Sequence, residues 1–218
     1  MKTTNFLATI AVLFATAQGM ATPARRLDGA SSPVPEGYGI VELEWEIETT
    51  AGGPKATFTG TVEEVHAQLL EINPNWDEEV AATLLAERDA ATAALEARAI
   101  GDGENGLQKR DWTICGNDLG ARQDRIREGI SYLRGLSGQA VNGPGPRNCS
   151  RVSCSWNSGI WYCNNNSFNK AMPWFHIANA AQVLVDQCSW HGGAWGILTR
   201  GERWHDDQWF AIVASSTC

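Results

Sequence analysis

Apolar residues and glutamates alternate between positions 41 and 48, directly after a stretch rich in proline, serine and glycine. A period of two places successive side chains on opposite faces of a strand, so this run predicts a strand with one buried and one solvated face. Residues 51–54 (Ala-Gly-Gly-Pro) predict a turn into a second strand at residues 55–59. The apolar positions of the first strand are Val41, Leu43, Trp45 and Ile47.

The pattern changes to a helical period after this hairpin. Thr61 and Glu64 have the spacing of a capping box, in which the two residues satisfy each other's free backbone amides. Asn73-Pro74 ends this predicted helix, and a longer helix rich in alanine, glutamate and leucine is predicted from Asp77 to about Ile100. The apolar face of the first helix consists of Val62, Val65, Leu69 and Ile72.

Shorter elements are predicted after residue 110. Helices are predicted at residues 118–136 and 173–188, where apolar residues recur at helical spacing. The element order β-α-β-β-α-β-β predicts an antiparallel sheet covered on one face by two helices, an α/β sandwich of the α+β class. The strands are predicted at residues 111–115, in a hairpin at 147–163, and at 194–199 and 208–214, with residues 200–207 as a connecting loop.

The hairpin at residues 147–163 carries three of the six cysteines. A two-residue Ser158-Gly159 loop places Trp156 opposite Trp161 and Cys154 opposite Cys163. A three-residue loop that also includes Asn157 shifts this pairing by one residue. Both alternatives are open from the sequence.

All six cysteines lie between positions 115 and 218. An even number of cysteines confined to one half of a chain predicts a disulfide framework formed in an oxidising compartment. No C-x-x-C motif is present and no histidine has a ligand-like spacing to the cysteines, so no metal site and no cofactor are predicted. Residues 22–110 carry 7 basic and 17 acidic side chains, and residues 111–218 carry 9 and 8, which argues against nucleic-acid binding.

The N-terminal 21 residues combine Lys2, an apolar run and small-residue cleavage sites, which predicts a signal peptide and a secreted, extracellular protein without a transmembrane segment. Residues 22–110 then form an acidic pro-region with a hairpin and helices, a separate small unit. It ends at Lys109-Arg110, a pair that suits a kexin-type protease because the glycine-rich flank supplies a mobile backbone. Alternatively, this pair is a solvated part of a linker between two permanent domains. Residues 111–218 form the cysteine-rich domain.

Six features occur in order in this second half: Cys115-Gly116, the first predicted helix, the Cys149/Cys154 hairpin, the helix that ends at Cys188, the strand at residues 208–213 and the terminal Cys218. In these features it resembles the fungal killer-toxin-like secreted proteins, a fold shared by many cysteine-rich effectors. The resemblance implies three disulfides: Cys115–Cys188, Cys149–Cys163 and Cys154–Cys218. The competing pair is Cys154–Cys163, which a two-residue turn places opposite each other.

Candidate chemistry is sparse in the cysteine-rich domain. His191, His205 and Asp207 are the candidates for acid and base groups, and a hydrolase needs two such groups across one cleft. No G-x-S-x-G, H-E-x-x-H or phosphate-binding glycine loop is present, so no enzyme is predicted. Most of the eight tryptophans after residue 110 are expected in the core of so small a domain. Those at loops or strand edges form a candidate binding surface: Trp190, Trp195 and Trp204.

Asn148 and Asn165 match the N-glycosylation acceptor pattern, and Asn165 lies in the more polar loop. The resemblance implies a secreted effector or antimicrobial protein that acts by binding a protein, lipid or cell-wall target on another cell. Its partner during maturation is a kexin-type protease. The alternatives are a small ribonuclease-like hydrolase that uses His191 and His205, or a carbohydrate-binding protein of the cell wall.

Overall fold

The computed structural model of the chain describes residues 33–79, 111–136 and 138–218. We call residues 33–79 the front segment and residues 111–218 the cysteine half. The front segment contains β1 (Gly39–Ile40), β2 (Glu44–Glu48), β3 (Lys55–Thr59), α1 (Val62–Ile72) and α2 (Trp76–Glu79). The cysteine half contains β4 (Trp112–Cys115), β5 (Ala121–Arg122), α3 (Gln123–Arg134), β6 (Gln139–Asn142), β7 (Asn148–Ser155), β8 (Ser158–Asn164), β9 (Lys170–Pro173), α4 (Trp174–Gln187), β10 (Ser189–His191), a 3-10 turn (Gly193–Trp195), β11 (Ile197–Thr199), β12 (Gly201–His205) and β13 (Trp209–Ser215).

The hairpin and the first helix predicted for the front segment are confirmed, with strand β2 beginning at Glu44 and not at Val41. Strand β2 pairs antiparallel with β3. Its apolar residues Trp45 and Ile47 are buried, as is Leu43 directly before it, while the glutamates between these residues are exposed. Helix α1 follows Thr61, whose backbone N–H donates to Glu64 Oε2 at 2.7 Å. The longer predicted helix is described only over α2. Its remainder lies outside the described residues, as do the predicted signal peptide, Lys109 and Arg110.

Three sheets organise the described residues, and most of their strand pairs are antiparallel. The largest has six strands in the order β1-β7-β8-β13-β12-β4 and contains one parallel pair, β1 with β7. Helices α3 and α4 pack against one face of this sheet. The α+β class is therefore confirmed, but the prediction of one sheet is wrong. The other two sheets have the orders β3-β2-β6-β9 and β10-β11-β5.

The turn of the cysteine hairpin differs from both predicted loops. Ser155 pairs with Ser158, so the two loop residues are Trp156 and Asn157, which have φ values of 49° and 56°. Gly159 lies within β8 instead. A Cβ atom at this position would come within 2.8 Å of the Ser216 side chain, which favours glycine here. The glycine that suggested a turn is thus needed for close packing.

Other element boundaries after residue 110 also differ from the prediction. The predicted loop at residues 200–207 contains strand β12, which lies between β13 and β4. Its charged residues do not show the alternation of apolar and polar positions that predicts a strand. In the structure Arg203 donates hydrogen bonds to Thr113 of the neighbouring strand β4 and to Asp111 directly before it. Helix α3 begins at Gln123, five positions after the predicted start. The predicted strand at 194–199 is reduced to β11, and β10 forms between the second predicted helix and that strand, where no element was predicted.

The front segment does not pack as a separate unit, contrary to the prediction. Strand β1 pairs with β7, and β2 pairs with β6 through Glu44 with Val141 and Trp45 with Ala140. The Trp45 ring stacks on Trp174 of α4, with ring centroids 3.9 Å apart and an interplanar angle of 15°. One continuous apolar core contains residues from both parts of the chain. Apolar burial therefore overrides the boundary that the sequence suggested, since the buried face of β2 packs against residues of the cysteine half.

Three disulfides cross-link the cysteine half: Cys115–Cys188, Cys149–Cys163 and Cys154–Cys218. These are the pairs that the killer-toxin-like pattern implied. Cys149 and Cys163 face each other on paired strands, which the observed turn makes possible, whereas Cys154 lies opposite Gly159. No helix among the described residues is long and apolar enough to cross a membrane.

Candidate functional site

The face of the six-stranded sheet opposite α3 and α4 carries a row of aromatic rings. We call this surface the open face and define it by Trp112, Ile114, Trp161, Trp204 and Phe210. The Trp204 ring stacks on Phe210, with centroids 3.8 Å apart, and on Trp112, with centroids 5.6 Å apart and nearly parallel planes. The three rings lie side by side on one face because Trp204 of β12 pairs with Trp112 of β4 on one side and with Phe210 of β13 on the other.

The beginning of the front segment covers part of the open face. We call residues 34–41 the strap. Val34, Tyr38 and Ile40 pack against Phe210 and its buried neighbours, and the Tyr38 ring meets Phe210 edge-on at 5.4 Å. The Tyr38 hydroxyl also donates to Asn165 Oδ1 at 2.9 Å.

The strap leaves one edge of the open face uncovered. Trp112 is 45% exposed and Ile114 is 51% exposed, both on strand β4 at the edge of the sheet. An apolar surface on a rigid, disulfide-linked strand is a candidate contact surface for a partner.

A second candidate site lies at the end of the same strands. His205 Nδ1 lies 2.8 Å from Asp111 Oδ2, and Arg203 Nη2 lies 3.2 Å from the same oxygen. The imidazole stacks on Trp209 at 3.9 Å. Burial lowers the pKa of His205; Asp111 opposes this shift and Arg203 adds to it. Its Nε2 is buried without a hydrogen-bond partner among the described residues, while the contact of Nδ1 with Asp111 fixes the orientation of the ring.

Asp207 lies beside this pair but is not bonded to His205. Its carboxylate forms a salt bridge of 2.8 Å with Lys170, and the Asn166 amide donates to the Asp207 backbone carbonyl at 3.1 Å. Burial lowers the pKa of His176, and the negative charge of Asp207 opposes this shift in part. Burial, and then Asp207, raise the pKa of the Tyr162 phenol. The second histidine near this cluster is therefore His176.

His191, the other histidine proposed for catalysis, lies in a different sheet. The His191 side chain is exposed, and the residue pairs with Ile197 at the start of β11. His205 is instead the last residue of β12 in the six-stranded sheet. The structure does not bring His191 and His205 to one cleft. The sequence pattern did not predict Asp111, Lys170 or His176 at this site, because their approach depends on strand pairing that no local motif encodes.

The three tryptophans proposed as one binding surface are also separated. Trp190 packs over Gly120, where a Cβ atom would come within 2.6 Å of its ring. Trp195 is 76% exposed in the 3-10 turn, and Trp204 belongs to the stack of the open face. Trp112, which the sequence analysis left in an ordinary strand, is the exposed end of that stack. Its alternation with Ile114 was the available signal.

A cleft of about 580 Å³ lies between the front segment and α3. On one side His66 and Asp77 are joined at 2.8 Å, and on the other side Arg127 and Tyr132 project from the helix. The cleft is open and its walls come from both parts of the chain. It exists only while the two parts are in contact.

The acceptor asparagines for glycosylation are both engaged. The Asn148 side-chain amide donates to the Pro144 carbonyl, and Asn165 accepts from Tyr38 in the loop after β8. Within residues 33–79, 111–136 and 138–218, no group of three or more His, Cys, Asp or Glu side chains could hold a metal ion.

Comparison of the chain with protein-family models, with curated proteins and with solved structures finds no match. The candidate sites therefore rest on their own geometry.

Proposed function

We propose that this chain is a secreted, killer-toxin-like effector or antimicrobial protein that binds a target on another cell after cleavage behind Arg110. The disulfide framework and the signal-like N-terminus support export. The Lys109-Arg110 pair supports the cleavage, because it lies where charge, cysteine content and tryptophan density all change.

The observation that carries the binding function is the uncovered edge of the open face. Trp112 and Ile114 are exposed, and the stack of Trp112 on Trp204 and of Trp204 on Phe210 holds the outer ring in place. Rigid aromatic side chains are favoured contact residues because they bury a large area at a low cost in conformational entropy. A partner that covers this edge therefore buries the area of the Trp112 ring without the entropic cost of immobilising it.

The test is binding of the labelled, secreted protein to a panel of fungal, bacterial and plant cells, with purified wall polysaccharides as a separate arm. We expect saturable binding that Trp112→Ala weakens by about tenfold or more, the loss of one contact residue worth about 1.4 kcal/mol or more. Trp195→Ala is the matched control, since Trp195 is also exposed but lies off the open face. Binding that depends on Trp195 and not on Trp112 would show that the open face is not the contact surface. Retention on polysaccharide alone would favour the wall-protein alternative.

The Asp111–His205 pair favours one second candidate, a small ribonuclease-like hydrolase. A carboxylate on Nδ1 orients the imidazole, which general acid–base catalysis requires of its histidine. Nε2 has no hydrogen-bond partner among the described residues but is buried, so this function also requires the neighbouring side chains to move and admit a substrate. The test is RNA hydrolysis by the purified protein, with His205→Ala against His191→Ala. A catalytic role predicts loss of hydrolysis in the folded His205 variant alone. Equal hydrolysis in both variants would exclude it.

A further inference from the structure

We infer that the front segment remains bound to the cysteine half after cleavage behind Arg110, so that the processed protein consists of two chains held together without a covalent link. This inference rests on the proposed processing step for its biological setting. The association itself follows from contacts between the described residues. All six cysteines lie after residue 110, so no disulfide can join the two chains.

The first support is the position of the front segment within the sheets. Strand β2 lies between β3 and β6, so it is an interior strand whose two neighbours belong to different parts of the chain. Strand β1 adds a parallel edge to β7, and the backbone N–H of Val41 donates to the Cys149 carbonyl at 2.9 Å. Loss of the front segment would leave two strand edges of the cysteine half, on β6 and β7, without these partners.

The second support is the burial of large side chains at the contact. Trp45 and Trp174 stack on each other and both are fully buried. Val65 and Leu69 of α1 belong to the same apolar cluster as α3 and α4. Separation would expose all of these surfaces to water at once, which the hydrophobic effect opposes.

The third support is a carboxylate that satisfies buried donors on the other side. Glu63 lies at the start of α1 and accepts from the Ser153 hydroxyl and from the Cys154 backbone N–H, the latter at 3.1 Å. Both donors belong to β7. Because Ser153 is buried, departure of Glu63 would remove its partner unless water entered.

The predicted cut lies outside all of these contacts. The front segment is described to Glu79, and the cysteine half begins at Asp111, whose carboxylate lies beside His205 and Arg203. A break between Arg110 and Asp111 therefore removes none of the described interactions between the two parts. The strap would also stay in place, so the uncovered edge at Trp112 and Ile114 would remain the accessible part of the open face.

The experiment uses the full secreted chain with an affinity tag inserted after residue 21. In one version residues 101–110 are replaced by the recognition sequence of a site-specific protease, which makes cutting independent of the Lys-Arg pair. After complete cutting, verified by intact mass, we expect both fragments to bind the affinity resin and to elute together at the volume of the uncut protein. Elution of the cysteine half alone, without denaturant, would overturn the inference.

Two variants of α1 sharpen the result. Leu69→Asp places a charge at a fully buried position, and Ile72→Asp places the same charge at a position that is 58% exposed. We expect the fragments to separate after cutting in the first variant and to stay together in the second. If Leu69→Asp is not secreted, a urea titration of the cut wild-type sequence replaces it. Separation at urea concentrations far below the unfolding transition would contradict the inference.

A parallel digestion of the unmodified chain with a kexin-type protease tests the processing proposal by itself. Failure to cut there refutes processing after Arg110, whereas dissociation of the engineered fragments refutes the association.

Discussion

The front segment and the cysteine half bury their apolar residues by different means. The front segment has no cysteines, and its strand β2 alternates buried apolar residues with outward glutamates. The cysteine half has three disulfides and a sheet that is interior on one face and aromatic on the other. The apolar side chains of the front segment are buried in part against the cysteine half, which in addition carries covalent cross-links.

The difference indicates a division of roles in folding. A small domain buries a smaller fraction of its surface than a large one, so it needs additional stabilisation. Disulfides supply this after oxidation, whereas the front segment can cover Trp174 and the edge of β6 before any cross-link forms. We therefore expect the front segment to assist the folding of the cysteine half.

Deletion of residues 22–110, with the predicted signal peptide at residues 1–21 kept, should have the largest effect. It removes β2 and α1 and exposes the surfaces that they cover, so the secreted yield of oxidised cysteine half should fall by about tenfold or more. Non-reducing gels of the culture medium measure this yield. Deletion of residues 22–32 is the control, since it removes none of the described contacts. Equal yields from the two deletions would contradict a role in folding.

Trp45→Ala should cost about 3–5 kcal/mol of unfolding free energy, because it removes a fully buried ring and leaves a cavity beside Trp174. Urea unfolding of the intact chain, followed by circular dichroism, gives the value. The matched control is Trp195→Ala, which should stay within about 0.5 kcal/mol of the original chain. A loss below about 1 kcal/mol would mean that the front segment contributes little to the common core.

Replacement of Cys154 and Cys218 together by serine should cost about 4 kcal/mol, since this disulfide closes a loop with a sequence separation of 64. The Cys149–Cys163 pair spans only 14 residues, and the same chain-entropy argument gives about 3 kcal/mol for it. Chemical unfolding of both double variants tests this order. The opposite order would show that local packing, and not loop length, governs the contribution of each cross-link.

Glu63→Gln should destabilise the contact between the two parts by about 1–3 kcal/mol. The amide keeps one acceptor oxygen and replaces the other by an NH2 donor, so the Ser153 hydroxyl and the Cys154 amide can no longer both donate to a carboxylate. Glu71→Gln on the exposed face of the same helix is the control. Unfolding free energies of the two variants should differ, and equal values would remove Glu63 from the argument for association.

Acidification should give the smallest change. Burial lowers the pKa values of His176 and His205 below the ordinary 6.5, with Asp207 and Asp111 opposing it in part. The unfolded chain then takes up protons first, so stability falls as the pH drops from about 6.5 towards the folded pKa values.

The measurement is urea unfolding at about pH 8 and about pH 5, with His176→Gln and His205→Gln as variants that should flatten the decline. A rise in stability on acidification would have the wrong sign for buried neutral imidazoles.

The local pattern of apolar and polar residues predicted the elements correctly where one face of the element is buried and the other is exposed to solvent. Strand β2 and helix α1 are examples, and the end of α1 at Asn73 followed from Asn-Pro. It failed at β12, whose Arg203 is satisfied by Thr113 and Asp111 on another part of the chain. It also failed at Gly159, where a packing requirement resembles a turn signal.

The candidate sites followed the same division. His205 and Asp207 were identified as the polar residues of one short stretch, but their partners Asp111 and Lys170 come from elsewhere. Trp204 was identified without Trp112, because the stack depends on the pairing of β12 with β4.

The sequence alone determined the α+β class, the hairpin and helix of the front segment, and the concentration of cysteines after residue 110. These properties depend on local periodicity and composition, which operate over a few residues. Tertiary structure decided that β2 and β6 share a sheet, that the strap covers part of the open face, and that Asp111 meets His205. These contacts join residues far apart in the chain, and only the burial of complementary surfaces selects them.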